Sequence, residues 1–235
     1  MKKIILTALI LFVLSSVCFA EKQEWVDKSY NFSKVKTVFI YDPVIPNEIK
    51  NGIAENEINE IFNKKKVLKD VKILDIPQVV ILVQADTGIN LDELYKTDPQ
   101  GSLKMLFENI HKYADIVIVS KIQRYGTGSE YKEAYSYNTT TYQTSTVTTS
   151  NGGFATIDTP VTQTNTVPGG YFPASYVTVR YDVYDTKTNK QIFSRIDERG
   201  KVNRTAFDNT KPRDMFGRIV GSFFDDFNDL LNREK

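Results

Sequence analysis

The chain has 235 residues and a nearly balanced charge, with 30 lysines and arginines against 29 aspartates and glutamates. That balance argues against a nucleic-acid or anionic-membrane role that depends on a basic surface. A single cysteine and a single histidine exclude an intrachain disulfide and a metal site built from several such ligands. The length allows one domain, or one domain carrying a large insertion.

The amino terminus has the layout of a secretory signal peptide. Lys2 and Lys3 precede an apolar run that ends at Val13, and small residues lead to Ala20. We expect cleavage after Ala20, so residues 1–20 are the signal peptide and the protein is periplasmic or secreted. Acylation of Cys18 and an uncleaved anchor are the alternatives, although Val17 before the cysteine and the short apolar run disfavour them.

Cleavage would remove the cysteine and two lysines, leaving 215 residues with 28 basic against 29 acidic side chains. No later stretch is apolar for long enough to span a membrane as a helix. Residues 21–34 are polar apart from Trp25, and we interpret them as a loosely packed lead-in to a single domain at 35–235.

The first half of that domain alternates predicted strands and helices. Residues 35–41 are a β-branched and aromatic run that predicts a first strand, and we expect a second strand within 67–76. Pro46 at the favoured first position predicts a helix that continues through Asn63 with a buried isoleucine stripe. Residues 77–88 carry both strand and helix signals, and the proline at the front and the glycine at the back favour a helix.

A second helix and a buried strand follow. Asp98 and Pro99 have the pattern of a helix cap and first residue. His111 falls at the end of that helix, where a cation is favoured by the helix dipole, and nothing beside it suggests a metal ligand. The nearly all-apolar start of residues 114–123 is typical of a strand covered on both faces.

One tripeptide resembles an enzyme signature, because Asp86, Thr87 and Gly88 spell the Asp-Thr-Gly of aspartic proteases. Catalysis would require a homodimer that brings two such aspartates together. Ile89 stands where those enzymes have a small residue, so a helix end followed by a turn is the competing interpretation. No other catalytic constellation occurs in the chain, and we expect neither enzymatic activity nor a cofactor.

Residues 126–175 change character and are dominated by threonine, tyrosine, serine and asparagine. The turn signal at 150–153 predicts a long hairpin of Tyr135 to Thr149 against Phe154 to Val167. Neither alternating face is apolar, so the tract lacks the lipid-facing band of a membrane pore. Tyrosines among small polar residues make adaptable contacts, and a mobile surface insertion is the alternative. The predicted partner-contact residues are Tyr131, Tyr135, Tyr137, Tyr142, Phe154, Tyr171 and Phe172.

The carboxy-terminal part predicts a hairpin and a helix. Alternating valines and tyrosines from Tyr176, a polar turn at 185–190 and a second run to Arg199 indicate two antiparallel strands. Thr210 and Pro212 begin a helix whose apolar residues recur every three or four positions through Leu231. Gly217 and Gly221 lie four apart in it, a spacing that permits close backbone packing.

The element order, with ADIVIV at 114–119 and VYDTKTNKQIF at 183–193, resembles the α/β domain of the TolB amino-terminal region, of CsgG-type proteins and of small bacterial envelope proteins of unassigned function. The resemblance implies an α+β fold, a mixed sheet of four or five strands packed by helices. It also implies a non-enzymatic envelope component that binds or assembles with another envelope protein. A secretion-pore subunit of CsgG type and the homodimeric protease are the alternatives. The sequence leaves the oligomeric state open.

Overall fold

The computed structural model describes residues 18–50, 52–148, 154–203 and 210–233. The described residues form two compact units. The arm is Ser129–Pro173, and the core unit comprises the described residues on either side of it.

The strands and helices are numbered along the chain. The strands are β1 (Cys18–Val26), β2 (Thr37–Ile40), β3 (Lys72–Leu74), β4 (Ile116–Lys132), β5 (Tyr135–Thr148), β6 (Phe154–Val167), β7 (Gly170–Asp185) and β8 (Gln191–Val202). The α-helices are α1 (Ile53–Lys65), α2 (Ile76–Thr87), α3 (Leu91–Thr97), α4 (Pro99–Asn109) and α5 (Pro212–Asn232). Short 3-10 turns occupy Phe32–Lys34 and Ile110–Lys112.

Six strands form one mixed sheet in the order β1-β8-β7-β4-β2-β3. β1, β8 and β7 pair antiparallel, whereas β4, β2 and β3 pair parallel. The predicted α+β class is confirmed. The sheet has one strand more than the four or five expected, because the segment interpreted as a loose lead-in contains β1.

The sequence does not predict edge strand β1, because its polar residues lack the alternation of apolar side chains that marks a strand with one buried face. It pairs with β8 in register from Cys18↔Lys201 to Val26↔Phe193. Trp25 remains half exposed on this strand. The main-chain hydrogen bonds of the ladder, rather than apolar burial, therefore hold this segment on the sheet.

Helix α5 covers one face of the sheet, and the predicted stripe is confirmed. Phe223 is fully buried and its ring stacks on Tyr181 of β7, with centroids 3.8 Å apart and planes 3° apart. Helix α1 lies against α5 where a β-carbon on Gly217 would stand 3.6 Å from Ile61 Cγ2. The glycine pair thus faces α1 inside the core unit at ordinary contact distances.

Helices α2, α3 and α4 enclose a second cluster on the opposite face, with Phe39, Val79, Leu106 and Val117. The helix favoured at 77–88 is confirmed as α2. Asp75 accepts a hydrogen bond from Gln78 N at its start, and Gly88 ends it with φ of 69°. Helix α3 was not predicted, since its seven residues are too few to show a clear periodicity.

Two sequence predictions in the first half need correction. Pro46 does not begin a helix: its carbonyl accepts from Ile49 N in a turn, and α1 starts only at Ile53. Gly52 interrupts the pattern because its φ of 72° lies outside the helical region. Strand β2 is also shorter than the strand predicted at 35–41, since it runs only from Thr37 to Ile40, whereas β3 lies within the segment 67–76 where a strand was expected.

An ion network centred on a buried arginine connects β1, β8 and α5. Arg195 of β8 is 1% exposed, and its guanidinium donates to Asp197 Oδ2 at 2.7 Å and to Asp226 Oδ2 at 2.8 Å. Lys22 of β1 donates to the same Asp226 oxygen at 2.8 Å. Burial raises the pKa of Asp226, but the hydrogen bond and charge of Lys22 and the charge of Arg195 outweigh it and leave that pKa below its ordinary value.

The two motifs that carried the resemblance meet at one end of the sheet. Asp115 accepts hydrogen bonds from the backbone N–H of Lys36 and of Thr37, so it fixes the start of β2 beside β4. Thr186 donates its hydroxyl to the carbonyls of Ala114 and Asp115. Asp185 holds the predicted turn by accepting from Thr188 N at 2.8 Å. These motif residues are accordingly structural.

In the arm, β5 and β6 form the predicted hairpin. They pair antiparallel over fourteen residues each, from Tyr135↔Val167 to Thr148↔Phe154, with no irregularity in the register. The predicted turn at 150–153 lies outside the described residues. Among those described, β5 and β6 form a sheet of their own.

Candidate functional site

The arm presents most of the predicted contact residues to solvent. Tyr171 and Tyr142 are 77% and 71% exposed, and Tyr131 is 55% exposed. Tyr135 and Tyr137 are less exposed. Phe172 is half-buried, and the side chain of Phe154, the first residue of β6, lies outside the described residues.

These aromatic side chains form separate groups. Tyr131 and Tyr171 meet edge to face with centroids 5.4 Å apart. Tyr135 and Tyr137 lie 6.2 Å apart on one face of the hairpin. Tyr142 is an odd number of positions further along β5, so it projects from the other face. The arm thus offers tyrosines on both faces.

A ladder of small polar side chains stabilises the face that carries Tyr142. The side chains of opposing residues hydrogen-bond across the two strands at four positions, in the pairs Ser136 with Thr166, Asn138 with Thr164, Thr140 with Thr162, and Thr144 with Asp158. Cross-strand pairs of this kind each contribute a few tenths of a kcal/mol, up to about 1 kcal/mol. Side-chain hydrogen bonds therefore add to the main-chain pairing of β5 and β6, a contribution that does not depend on a hydrophobic core within the hairpin.

The arm has the chemistry of a contact surface rather than of a catalytic site. Its phenol rings supply large contact areas with few rotatable bonds, and its hydroxyls donate and accept hydrogen bonds. No group of three or more potential metal-ligating side chains occurs anywhere in the described part of the chain.

Asp86 of the Asp-Thr-Gly triplet lies in the last turn of helix α2, not in a loop after a strand. Its carboxylate receives a 2.6 Å hydrogen bond from Lys112, which lowers the pKa of Asp86. Thr87 donates to Val83 O, as a residue at a helix end does. A carboxylate held ionised by a lysine is unsuited to the shared proton of a protease dyad. The geometry matches the interpretation as a helix end and turn.

Sequence reasoning missed two concave sites in the core unit. A groove of about 710 Å³ lies between α1 and α5, and five basic side chains contribute to its wall. They are Lys64, Lys65, Arg199, Arg213 and Arg218. Glu60 neutralises part of this charge by pairing with Arg213 at 3.2 Å. Because the walls of the groove come from three elements, α1, β8 and α5, no linear sequence motif predicts it.

The second site is a smaller, mainly apolar pocket of about 270 Å³ bounded by α2, α3 and α4. Tyr41 and Tyr95 line it with Leu91 and Leu106. Burial is the main cause that raises the pKa of Tyr41. Ser102 donates its hydroxyl to Leu91 O at 3.0 Å, and this hydrogen bond connects α4 to α3. The pocket has few free polar groups to orient a ligand.

None of the helices in the described residues has both the length and the apolar character needed to cross a membrane. No protein-family model and no curated protein sequence matches the chain.

Solved structures with a similar arrangement are small bacterial proteins. A PelC dodecamer from Paraburkholderia phytofirmans is 8% identical with a TM-score of 0.43, covering 89% of this chain and 98% of PelC. The hypothetical protein CT253 from Chlamydia trachomatis is 9% identical with a TM-score of 0.42, covering 85% and 99%. Lipoprotein GNA1162 from Neisseria meningitidis is 11% identical with a TM-score of 0.32, covering 83% and 99%. Similarities this weak assign neither a family nor a function, and the resemblance to TolB and CsgG stays a prediction.

Proposed function

We propose that this protein is an exported, non-enzymatic component of the cell envelope that contacts another envelope protein through the tyrosines of its arm. The observation that carries the proposal is the exposure of Tyr131, Tyr142 and Tyr171 on an arm whose described side chains belong to neither hydrophobic cluster. Side chains that do not stabilise the core are free to be used in binding.

The chemistry of the arm favours a protein partner. Its side chains are neutral for most of its length, so long-range attraction to a charged polymer contributes little. Tyrosine is enriched at the centre of protein interfaces, where its ring is buried and its hydroxyl finds a partner. The edge-to-face pair of Tyr131 and Tyr171 is already ordered, which lowers the entropy lost on binding.

Export rests on the signal-peptide pattern of residues 1–20. Cleavage after Ala20 would shorten β1 but keep Lys22, whose ion pair with Asp226 fixes the strand to α5. Amino-terminal sequencing and intact mass of exported protein should give Glu21 as the first residue and no lipid. A diacylglyceryl group on Cys18 would contradict this and indicate an anchored lipoprotein.

The contact role can be tested with a photo-crosslinking amino acid at single positions of the full chain in its native envelope. We expect ultraviolet-dependent adducts to one other protein from positions 142 and 171. Position 95 is the matched control, because Tyr95 is 53% exposed on α3, outside the arm.

The adducts are identified by mass spectrometry. Adducts from position 95 alone would contradict the proposal and move the contact surface to the core unit. Absence of adducts from all three positions would also contradict it.

A further inference from the structure

The hairpin of the arm has two strand edges, and they differ in chemistry. Among the described residues, β5 pairs with β6 and with no other strand, so from Ser136 onward its outer edge has no neighbouring strand. Exposed edges of this kind are templates for pairing with another strand. Natural proteins block them with charges, prolines, bulges or very short strands.

Strand β5 carries none of these protections. Its fourteen residues include no charged side chain and no proline, and its register with β6 has no bulge. Strand β6 contains Asp158 and Pro160. The two edges therefore differ, and the open one is that of β5.

We infer that β5 pairs antiparallel with β5 of a second copy, which joins two hairpins into a four-stranded ribbon and makes the protein a dimer. This inference rests on the proposed role of the arm in contacts and names one partner of its edge. An uncharged strand can face itself without like-charge repulsion, which a strand carrying Asp158 would meet if that aspartate faced its own copy. Pairing of identical edges is isologous and closes at two subunits.

The register follows from symmetry. Directly opposite residues of paired strands share a face, so the two-fold axis passes through a residue paired with its own copy. A strand of fourteen residues has no central residue, so the longest overlaps that place a residue opposite its own copy pair thirteen residues and centre on Thr141 or on Tyr142. The register centred on Thr141 is the one proposed, because it places the smaller side chain opposite its own copy. In this register Thr140 of one copy lies opposite Tyr142 of the other, and Thr139 lies opposite Gln143. Threonine and tyrosine are residue types that suit a pleated, half-exposed surface. The pairing uses main-chain groups and leaves the tyrosine faces accessible.

The test is the mass of the purified full chain by sedimentation equilibrium, with charges placed at the proposed centre. We expect the natural chain to be a dimer and Thr141→Lys and Thr141→Glu each to weaken dimerisation at least tenfold, because like charges then face each other. An equimolar mixture of the two variants should restore the dimer. Restoration also shows that both variants retain a folded arm.

The matched control is the same pair of substitutions at Thr159, an exposed threonine of β6 that lies outside the ladder of side-chain hydrogen bonds in the hairpin. These should leave the dimer intact. A monomeric natural chain, or loss of the dimer on changing Thr159 and not Thr141, overturns the inference. Hydrogen exchange gives a second measurement: β5 amides that do not bond to β6 should be protected in the natural chain and exchange freely in Thr141→Lys.

Failure here is distinguishable from failure of the proposed function. If the chain is a monomer that still forms adducts with another protein from position 142, only the self-pairing inference is contradicted. If the chain is a dimer and all adducts join two of its copies, the self-pairing is supported and the proposed separate envelope partner is contradicted.

Discussion

Arg195 is a charged side chain with 1% exposure, enclosed by α5 and the sheet. Its charge is balanced by Asp197, which is 2% exposed, and by Asp226 of α5. Removing one member of a buried ion pair leaves its partner without compensation in a low-dielectric environment. The network therefore makes the position of α5 on β8 depend on a single guanidinium.

We expect Arg195→Met to lower the free energy of unfolding by about 3–5 kcal/mol, since Asp197 is left buried beside an apolar chain. Urea denaturation followed by circular dichroism measures this loss. Arg218→Met is the control, because Arg218 is an exposed arginine of α5. This substitution should change the free energy of unfolding by less than about 0.5 kcal/mol. Equal, small effects of both substitutions would show that the guanidinium is dispensable.

Asp27 provides a prediction on pH. Its pKa is lowered from 3.8 to about 2, chiefly by the hydrogen bond from Lys190 and then by those from Ser29. A depressed folded-state pKa gives stability that is present above the unfolded value and is lost as pH falls through the folded one. The stabilising contact between Asp27, which directly follows β1, and Lys190 of the β7–β8 turn should thus weaken as the pH falls from about 3.8 to 2.

Carboxyl NMR titration checks the cause of this shift. In Lys190→Met the pKa of Asp27 should rise toward its ordinary value, because the largest stabilising hydrogen bond is gone. Lys187→Met, in the same turn, should leave it unchanged. An unaltered pKa in both variants would assign the shift to Ser29.

At the scale of elements, glycine has opposite roles in α5 and in the arm. Gly221 lies within the helix, and a β-carbon there would stand 3.9 Å from the flexible Lys65 side chain, an ordinary contact. At Gly169 a β-carbon would stand 2.7 Å from the backbone nitrogen of Ala134, closer than packing allows. Only the second glycine is required by its surroundings.

Gly221→Ala should therefore raise the free energy of unfolding by about 0.5–1 kcal/mol, since alanine loses less backbone entropy in a helix. Gly169→Ala should instead disturb the arm, seen as faster hydrogen exchange of β5 and β6 amides. Thermal and urea unfolding of both variants measure the contrast. Destabilisation by Gly221→Ala would mean that α1 and α5 pack more tightly than their distances imply.

At the scale of the whole molecule, neither hydrophobic cluster includes an arm residue whose side chain the structure describes. The core unit contains the burial that drives folding, with α5 and the β7–β8 hairpin at its centre. The stability of the core unit should not depend on the arm.

Replacing residues 131–172 by a short flexible linker should leave one cooperative thermal transition with a midpoint within a few degrees of the full chain, because none of the removed side chains that the structure describes belongs to a hydrophobic cluster. Phe223→Ala is the reference for real core damage and should cost about 3–5 kcal/mol. Calorimetry compares the two. A deletion that unfolds the protein would show that the arm belongs to the core sheet.

The sequence by itself determined the elements whose side chains alternate or repeat over many residues. The stripe of α5, the β7–β8 hairpin with its Asp185 turn and the fourteen-residue pairing of β5 with β6 were all predictable, because long periodic patterns and turn residues are local signals. The tyrosines of the candidate site were predicted from the same tract.

Only the tertiary structure decided what depends on contacts distant in sequence. β1 is a strand because β8 offers it an edge. The carboxylate of Asp86 accepts a hydrogen bond from Lys112, a residue of a later element. The Arg195 network joins residues 22, 195 and 226, and the separation of the arm from the core follows from which side chains are buried together. Such contacts are set by packing of the whole chain, for which a linear pattern has no signal.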